Sequence, residues 1–157
     1  MQVIDNFLDT QSFWNIHSTM SGKNFPWNKI QNLSGINPED GIYFVHMFLN
    51  QLEQSSYINL IQPLLVKLNP FAVRRIKGNF YLPNKKVITH TFHKDYDLSH
   101  RGCIYYVNNN DGYTILKGNK KIKSVANRAL LFDPSEEHCS TSSTNPEGRI
   151  NININYF

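Results

Sequence analysis

The sequence predicts a mainly β protein with helices in its N-terminal part. Apolar residues recur at helical spacing between Tyr57 and Leu68, and short apolar segments separated by turns fill the chain after Phe71. The last strand alternates strictly between apolar and polar residues from Arg149 to Tyr156. Several short strands at regular spacing favour a β-sandwich or barrel over a sheet with helical crossovers.

The length and composition are those of a globular protein. The chain has 157 residues, of which 40% are hydrophobic and 13% aromatic, enough to bury one core. Neither an internal repeat nor a linker divides the sequence. We therefore expect a single domain over residues 1–157, with residues 1–70 as a helical support and residues 71–157 as the β core.

Composition also bounds where the protein works and what it binds. No apolar run approaches the ~20 residues needed to cross a bilayer, and the first residues lack the pattern of a signal peptide. The two cysteines, Cys103 and Cys139, suit a reducing cytoplasm rather than a disulfide or metal framework. The net charge of +4 and the pI near 9.1 permit a nucleic-acid partner, but the basic residues are spread thinly, which favours a solvated surface. We expect a cytoplasmic protein with no membrane segment.

The N-terminal part is predicted to begin with a short helix. Asp9 or Thr10 can cap this helix, because either side-chain oxygen can accept a hydrogen bond from an unpaired backbone N–H group. A loop-rich stretch follows from Ser21 to Gly41. Ile42–Val45 is then predicted as a short apolar strand.

The clearest helix lies between residues 55 and 69. Ser55 or Ser56 is its predicted cap, and Asn69 followed by Pro70 is its predicted end. Its apolar residues are Tyr57, Leu60, Ile61, Leu64, Leu65 and Leu68. This spacing places them on one face, so the helix is predicted to pack against a sheet.

From Phe71 onward the pattern changes to short strands. The predicted strands are Ala72–Leu82, Val87–Phe92, Cys103–Val107, Tyr113–Leu116, Ile122–Val125, Ala129–Phe132 and Ile150–Tyr156. Turn-forming Asn, Asp, Gly and Pro residues lie between most of them, for example in Lys117–Lys120. The predicted order is therefore helices first and then an antiparallel β core.

The first chemical signal is the triplet His93-Lys94-Asp95. On an extended strand, side chains two residues apart point to the same face, so His93 and Asp95 can both reach one metal ion. His90 lies three residues earlier and is predicted to face the other way. Alone, such a triplet is a weak signal, because it arises often by chance.

A third residue turns the triplet into a candidate metal site. His138 supplies a second imidazole, and two imidazoles with one carboxylate suit Fe(II), which needs open coordination positions. Zinc uses similar ligands, so a zinc hydrolase with Glu136 or Glu137 as its general base stays open. Asp97 is the competing carboxylate, and Cys139 is predicted to face away from the metal and pack.

The polar face of the final strand separates these metal chemistries. One face carries Ile150, Ile152, Ile154 and Tyr156, and the other carries Arg149, Asn151, Asn153 and Asn155. The polar face could be solvated. Together with a metal site, it is better interpreted as the lining of a cavity in which the Arg149 guanidinium grips a carboxylate.

At this point the chain resembles the 2-oxoglutarate- and Fe(II)-dependent oxygenases, in particular the prolyl-4-hydroxylase-like branch and its small phage or viral members. The segments that carry the resemblance are Arg75–Tyr81, His93–Asp95, Cys103–Asn108, Asn110–Thr114, Ala126–Arg128, Leu130–Asp133, His138 and Arg149–Phe157. They run in the family's order over roughly half of the chain, and the first 70 residues match less clearly. For a phage member, the compartment would be the host cytoplasm.

The resemblance implies a double-stranded β-helix, or jelly roll, core supported by helices. His93, Asp95 and His138 match the iron ligands of the family. Arg149 matches the residue that pairs with the distal carboxylate of 2-oxoglutarate.

Further roles are implied at other matching positions. Tyr81 and Tyr106 match aromatic positions whose hydroxyls help to hold the co-substrate. Asn153 stands where related enzymes place a hydroxylated residue that touches the same carboxylate, and its amide can also donate a hydrogen bond. Asn79 and Asn127 are further candidates for the border of the site.

The implied activity is that of a dioxygenase that hydroxylates its substrate. Fe(II) would be the metal, 2-oxoglutarate and O2 the co-substrates, succinate and CO2 the products, and ascorbate an additional reductant. The expected substrate is a prolyl or other residue of a peptide or protein. Two alternatives stay open: a nucleic-acid-modifying oxygenase of the same superfamily, and a cupin-like metal-binding module without turnover. Arg149 argues against the module, which has no need of an arginine at that position.

Overall fold

The helices and strands were located in a computed structural model that describes residues 1–31 and 42–157. In chain order they are β1 (Gln2–Ile4), α1 (Thr10–Met20), β2 (Asn28–Gln31), β3 (Ile42–Asn50), β4 (Glu53–Gln54), α2 (Gln62–Leu68), β5 (Val73–Tyr81), β6 (Arg101–Tyr106), β7 (Tyr113–Leu116), β8 (Lys120–Lys123), β9 (Arg128–Phe132), β10 (His138–Ser140) and β11 (Arg149–Tyr156). A 3-10 helix at Ile58–Ile61 directly precedes α2. Part of the predicted loop between Ser21 and Gly41 lies outside the described residues.

The strands of the described residues form two sheets. The larger sheet has eight strands in the order β1-β9-β6-β11-β5-β3-β2, with β4 paired to β3, and the smaller has three in the order β10-β7-β8. Ile104 and Leu130 of the larger sheet pack in one apolar cluster with Ile122 and Leu116 of the smaller sheet, so the two sheets face each other. This antiparallel sandwich confirms the predicted mainly β class.

The helices cover the outer face of the larger sheet. Asp9 caps α1 as predicted, because its side chain accepts a 2.9 Å hydrogen bond from Ser12 N. Residues of α1, α2 and β11 share the main apolar core, among them Ile16, Met20, Leu64, Leu68, Ile152 and Ile154. No helix in the described ranges is long and apolar enough to cross a membrane.

The second predicted helix differs at its start. It begins as a 3-10 turn, and the α-helical part starts only at Gln62, because Pro63 lacks an N–H group and fits the first helical turn. Ser55 accepts a 3.1 Å bond from Tyr57 N ahead of the turn. The predicted end is confirmed, since Asn69 adopts the left-handed conformation that stops helices, with φ of 46°.

The central strand β11 is buried on both faces along its whole length. Its isoleucine face packs against the helices, and its polar face points between the two sheets. Arg149 lies opposite Tyr81 of β5, and Asn151 lies between Asn79 of β5 and Tyr106 of β6. The polar face is therefore a cavity lining rather than a solvated surface.

Two predicted strands were wrong in position or form. Val87–Phe92 is not a regular strand, and the stretch from residue 82 to residue 100 makes only isolated bridges, such as Thr89 with Thr141. The strand predicted at Ile122–Val125 lies two residues earlier, at Lys120–Lys123, because a turn with positive φ at Gly118 and Asn119 reverses the chain sooner. The short strands β1, β2, β4 and β10 were not predicted.

Asn127 anchors the N-terminal segment to the larger sheet. It has a φ of 60° and is buried, and its Oδ1 accepts bonds of 2.9 Å from Leu8 N and Tyr105 OH. Its amide also donates to Leu8 O at 2.9 Å. The prediction that Asn127 borders the site was wrong, because these bonds hold it between β9 and the chain ahead of α1.

We expect Asn127→Ala to lower the free energy of unfolding by about 3 kcal/mol, because it removes these buried hydrogen bonds at roughly 1 kcal/mol each. Urea denaturation would measure the change. Asn119→Ala is the matched control, since Asn119 is exposed and also has positive φ, at 62°. Equal losses in the two variants would contradict the anchoring role.

Candidate metal centre and co-substrate cavity

The two histidines of the predicted triad lie opposite each other across a backbone bridge. His93 N donates to His138 O over 2.9 Å, and His138 N donates to His93 O over 2.9 Å. Their ring centroids are 4.7 Å apart. This bridge is what aligns His93, because the segment around it has no regular strand.

Asp95 completes the group. The donor atoms of His93, Asp95 and His138 all lie within 4.8 Å of one another. The distance from His93 Nε2 to Asp95 Oδ1 is 3.9 Å. Two atoms that each lie about 2.1 Å from one ion are at most about 4.2 Å apart, so this pair is within reach of a shared ion. The side chain of His93 is 33% exposed and that of Asp95 only 5%, so the group opens to solvent on the His93 side.

Backbone carbonyls orient both imidazoles. His93 Nδ1 lies 3.2 Å from Thr91 O, and His138 Nδ1 lies 2.9 Å from Glu136 O. A carbonyl oxygen only accepts, so each Nδ1 carries the hydrogen and donates. Each Nε2 is left with its lone pair toward the centre of the triad, as a metal ligand requires.

The charges around the triad favour its ligating forms. Asp95 Oδ1 pairs with Arg75 Nη2 at 3.0 Å, and Asp95 Oδ2 accepts a 3.0 Å bond from Asn153 Nδ2. Burial alone would raise the pKa of Asp95, yet the charge of Arg75 above all brings it down to about 2. Burial lowers the pKa of His138, which keeps its imidazole neutral.

A small cavity between the sheets connects the two histidines of the triad to Arg149. Its lining includes the residues of the polar faces of β5 and β11 and a row from β10. The lining residues are Lys77, Asn79, Tyr81, His93, Ile104, Thr114, His138, Cys139, Ser140, Arg149, Asn151 and Asn153. Most of these side chains are polar, so the cavity suits a polar ligand.

Arg149 is fully buried in the wall of this cavity. Its Nε donates to Ser124 Oγ over 2.8 Å, and its Nη groups donate to Thr141 O over 3.3 Å and to Thr114 Oγ1 over 3.2 Å. In the described part of the chain, no carboxylate forms an ion pair with it. A buried cation without an acidic partner is costly, so the cavity is suited to an anion at this end.

The other predicted co-substrate residues lie in or beside the cavity. Tyr81 lines it, and its ring centroid is 5.2 Å from the Arg149 guanidinium. Tyr106 lies behind Thr114, to which its hydroxyl donates over 2.8 Å. Asn153 lines the metal end of the cavity, where its amide contacts Asp95.

The structure corrects the predicted orientation of His90. This residue does not face away from the site, because an irregular segment does not follow strand parity. His90 is buried, packs 5.3 Å from the ring of Tyr81, and its Nδ1 lies 3.0 Å from Ser140 Oγ. It therefore supports the cavity wall from behind.

The remaining candidate residues from the sequence lie at different distances from the cavity. Asp97 is exposed and lies outside the group of ligating atoms. Glu136 and Glu137 are also exposed and do not line the cavity. Cys139 is buried as predicted but forms part of the cavity wall, which the prediction that it faces away did not include.

Several site residues were missed by the sequence reasoning. Arg75 and Lys77 share the inward face of β5 with Asn79 and Tyr81, an alternation that the sequence displays. Burial, followed by the charge of Arg75, lowers the pKa of Lys77 to about 8. No sequence signal marks Ser124, which reaches Arg149 from the segment after β8.

No protein-family model and no curated protein matches the sequence. Solved structures do match its fold. A prolyl hydroxylase from Trichoplax adhaerens, solved with a peptide of hypoxia inducible factor, aligns with a TM-score of 0.68 and 16% identity over 99% of this chain and 82% of that chain. The viral collagen prolyl hydroxylase of Paramecium bursaria Chlorella virus-1, in complex with 2-oxoglutarate, aligns with a TM-score of 0.57 and 14% identity. This alignment covers 98% of this chain and 93% of that chain.

The same fold also serves other reactions. The carbocyclase SnoK of nogalamycin biosynthesis, described as non-heme and α-ketoglutarate dependent, aligns at a TM-score of 0.69 and 10% identity over 98% of this chain and 78% of that chain. At such identities the likeness establishes the fold and leaves the reaction to the site. The chain therefore has the fold of the 2-oxoglutarate- and Fe(II)-dependent oxygenases, as its sequence predicts.

Proposed function

We propose that this protein is an Fe(II)- and 2-oxoglutarate-dependent dioxygenase that hydroxylates a peptidyl residue, with proline as the first candidate. One observation carries the proposal. Both histidines of the His–Asp–His group line the same cavity as the buried Arg149, for which the described residues provide no carboxylate partner.

The residues present fit the metal. His93, Asp95 and His138 would hold Fe(II) through two imidazoles and one ionised carboxylate, a set that leaves coordination positions open. When bound, Fe(II) supplies the O2 chemistry that couples decarboxylation of 2-oxoglutarate, to succinate and CO2, with oxidation of the substrate. The protein keeps the ligands in their reactive forms through the Arg75 and Asn153 contacts with Asp95.

The opposite end of the cavity fits the co-substrate. A carboxylate of 2-oxoglutarate would supply the anion that Arg149 lacks and would lie within reach of the Tyr81 hydroxyl. Thr114 and Ser124 hold the guanidinium in place by accepting its hydrogen bonds. The positive end of the cavity thus binds and orients the co-substrate.

The alternatives fit the site less well. A zinc hydrolase needs a general base beside the metal, and both glutamates near His138 are exposed and outside the cavity. A metal-binding module without turnover has no need of a fully buried arginine in the same cavity.

A peptide substrate is favoured over a nucleic acid. A solved prolyl hydroxylase of the same fold is described with a bound peptide. Next to Asp95, the ring of Tyr96 is already covered by Arg74, whose guanidinium lies 3.9 Å from the ring centroid. That face of the ring is closed to a stacking base.

The test is an anaerobic titration with Fe(II) and 2-oxoglutarate, followed by addition of O2 and measurement of succinate. We expect both ligands to bind, and proline-containing peptides to raise succinate formation above that seen without a substrate. Single-stranded DNA and RNA should not raise it. Mass spectrometry of the peptide would show the added oxygen.

Two variants make this assay decisive. His93→Ala should lose Fe(II), and Arg149→Ala should lose 2-oxoglutarate while still binding Fe(II). His17→Ala, on α1 and far along the chain from the site, is the control. If both site variants bound metal and co-substrate as the wild type does, the proposed function would be wrong.

A further inference from the structure

A row of side chains linked by hydrogen bonds leads away from Asp95 along the polar face of β11. Asn153 donates to Asp95 Oδ2 over 3.0 Å, and Asn155 donates to Asn153 Oδ1 over 3.3 Å. His100 Nε2 then lies 2.7 Å from Asn155 Oδ1, and His100 Nδ1 lies 2.7 Å from Leu98 O. Asn155 is fully buried and His100 is 8% exposed, so water competes little for these bonds.

The direction of every bond in this row is fixed from Asp95 outward. An ionised carboxylate only accepts, so Asn153 presents its NH2 group to Asp95 and its carbonyl to Asn155. Asn155 must then donate to Asn153 and present its own carbonyl to His100, which donates from Nε2. The other side of the ring is held by the backbone, because His100 Nδ1 lies 2.7 Å from Leu98 O.

The backbone near Asp95 depends on such contacts. Residues 95–100 form no helix or strand, and the backbone of Asp95 is tied to the rest of the protein by its N–H bond to Pro134 O, at 2.9 Å. Both ends of this loop are joined to β11, at Asp95 through Asn153 and at His100 through Asn155. The loop that carries a metal ligand is thus clamped to the central strand by side chains.

We propose that His100 is a positioning residue for the metal site, acting on Asp95 through Asn155 and Asn153. Without a donor at His100, the buried carbonyl of Asn155 would have no partner, which costs free energy and favours other orientations of Asn155 and Asn153. Asn153 would then hold the carboxylate of Asp95 less firmly. The inference rests on the proposed function only in requiring the triad to bind a divalent metal.

The test compares two substitutions of His100 by their affinity for Mn(II), measured by calorimetry without 2-oxoglutarate or O2. His100→Phe keeps a buried ring and removes both donors, whereas His100→Gln keeps an N–H that can reach Asn155. Loss of a side chain that hydrogen-bonds directly to a ligand weakens metal binding about 10- to 100-fold, and His100 acts through two further side chains. We therefore expect a loss at the lower end, about tenfold, in the Phe variant. The Gln variant should recover most of that loss, and His17→Phe should have no effect.

Unchanged Mn(II) affinity in His100→Phe would overturn the inference. Equal losses in the Phe and Gln variants would do the same, because they would indicate lost packing rather than a lost donor. The His100 ring can also be observed by NMR in the metal-free wild type: a hydrogen on Nε2 that bonds to Asn155 is expected, and an Nε2 without it would contradict the proposal. Metal binding that depends on His100 but yields no succinate would instead contradict the proposed function alone.

Discussion

The His138→Ala variant should bind Fe(II) or Mn(II) more than about 100-fold more weakly than the wild type and should form no succinate. This loss is larger than that caused by removing a side chain that only hydrogen-bonds to a metal ligand. His138 is buried, and its Nδ1 bond to Glu136 O aims its Nε2 at the triad. The remaining pair, His93 and Asp95, leaves the metal with too few protein ligands. Calorimetry with Mn(II) measures the affinity, and a succinate assay measures turnover.

The fold should survive this substitution, because the bonds that hold β10 in place come from the backbone. His17→Ala controls for loss of a histidine elsewhere. The wild-type pH profile gives a second check. Burial lowers the pKa of His138, so protons should begin to displace the metal from it only at a pH below 6.5, the ordinary value for imidazole. If His138→Ala bound the metal as tightly as the wild type, His138 would not be a metal ligand.

The residues that the sequence could identify are those on regular strands. Along β11 a strict alternation sorted Arg149 and three asparagines onto one face, and the structure places that face in the cavity. On β5 the same alternation brings Arg75 and Lys77 to the site, although their charge alone suggested an ordinary solvated surface. The alternation of side chains between the two faces is reliable here because neighbouring strands on both sides hold the backbone extended.

The residues that the sequence could not place lie where the backbone is held by distant partners. His93 and His90 belong to a segment without a regular strand, whose geometry comes from bridges to β10 and the residues after it. His90 therefore packs on Tyr81 instead of pointing away. The hydrogen bond from Arg149 to Ser124 likewise depends on the packing of the smaller sheet on the larger, which no local pattern encodes.

The Arg149→Met variant should lose almost all affinity for 2-oxoglutarate while keeping its metal. Removing one partner of a buried, hydrogen-bonded charge pair costs about 2–5 kcal/mol, which corresponds to a loss of roughly 30-fold to several thousand-fold in affinity. Mn(II) binding should be unchanged, because Arg149 contacts none of the triad and hydrogen-bonds to Ser124, Thr141 and Thr114. Anaerobic titrations with each ligand separate the two effects.

Without ligand, the Arg149→Met variant should be at least as stable as the wild type, even though it no longer binds 2-oxoglutarate. The guanidinium is fully buried without a carboxylate partner in the described residues, so its removal relieves the cost of an unpaired buried charge. This gain should offset the three hydrogen bonds that are lost, and an apolar side chain of similar length should leave the melting temperature unchanged or raise it. With Mn(II) present, 2-oxoglutarate at 100 times its dissociation constant should stabilise the wild type by about 2.7 kcal/mol, and this gain should vanish in the variant.

Arg128→Met is the matched control for Arg149→Met. Arg128 pairs with Asp5 at the surface, so its loss should cost little stability and leave the response to 2-oxoglutarate intact. A melting temperature that falls sharply in Arg149→Met would mean that the arginine serves the fold rather than a ligand. A stable variant that binds metal but no longer responds to 2-oxoglutarate would mean that the cavity keeps a buried charge, at a cost to stability, in order to hold the co-substrate.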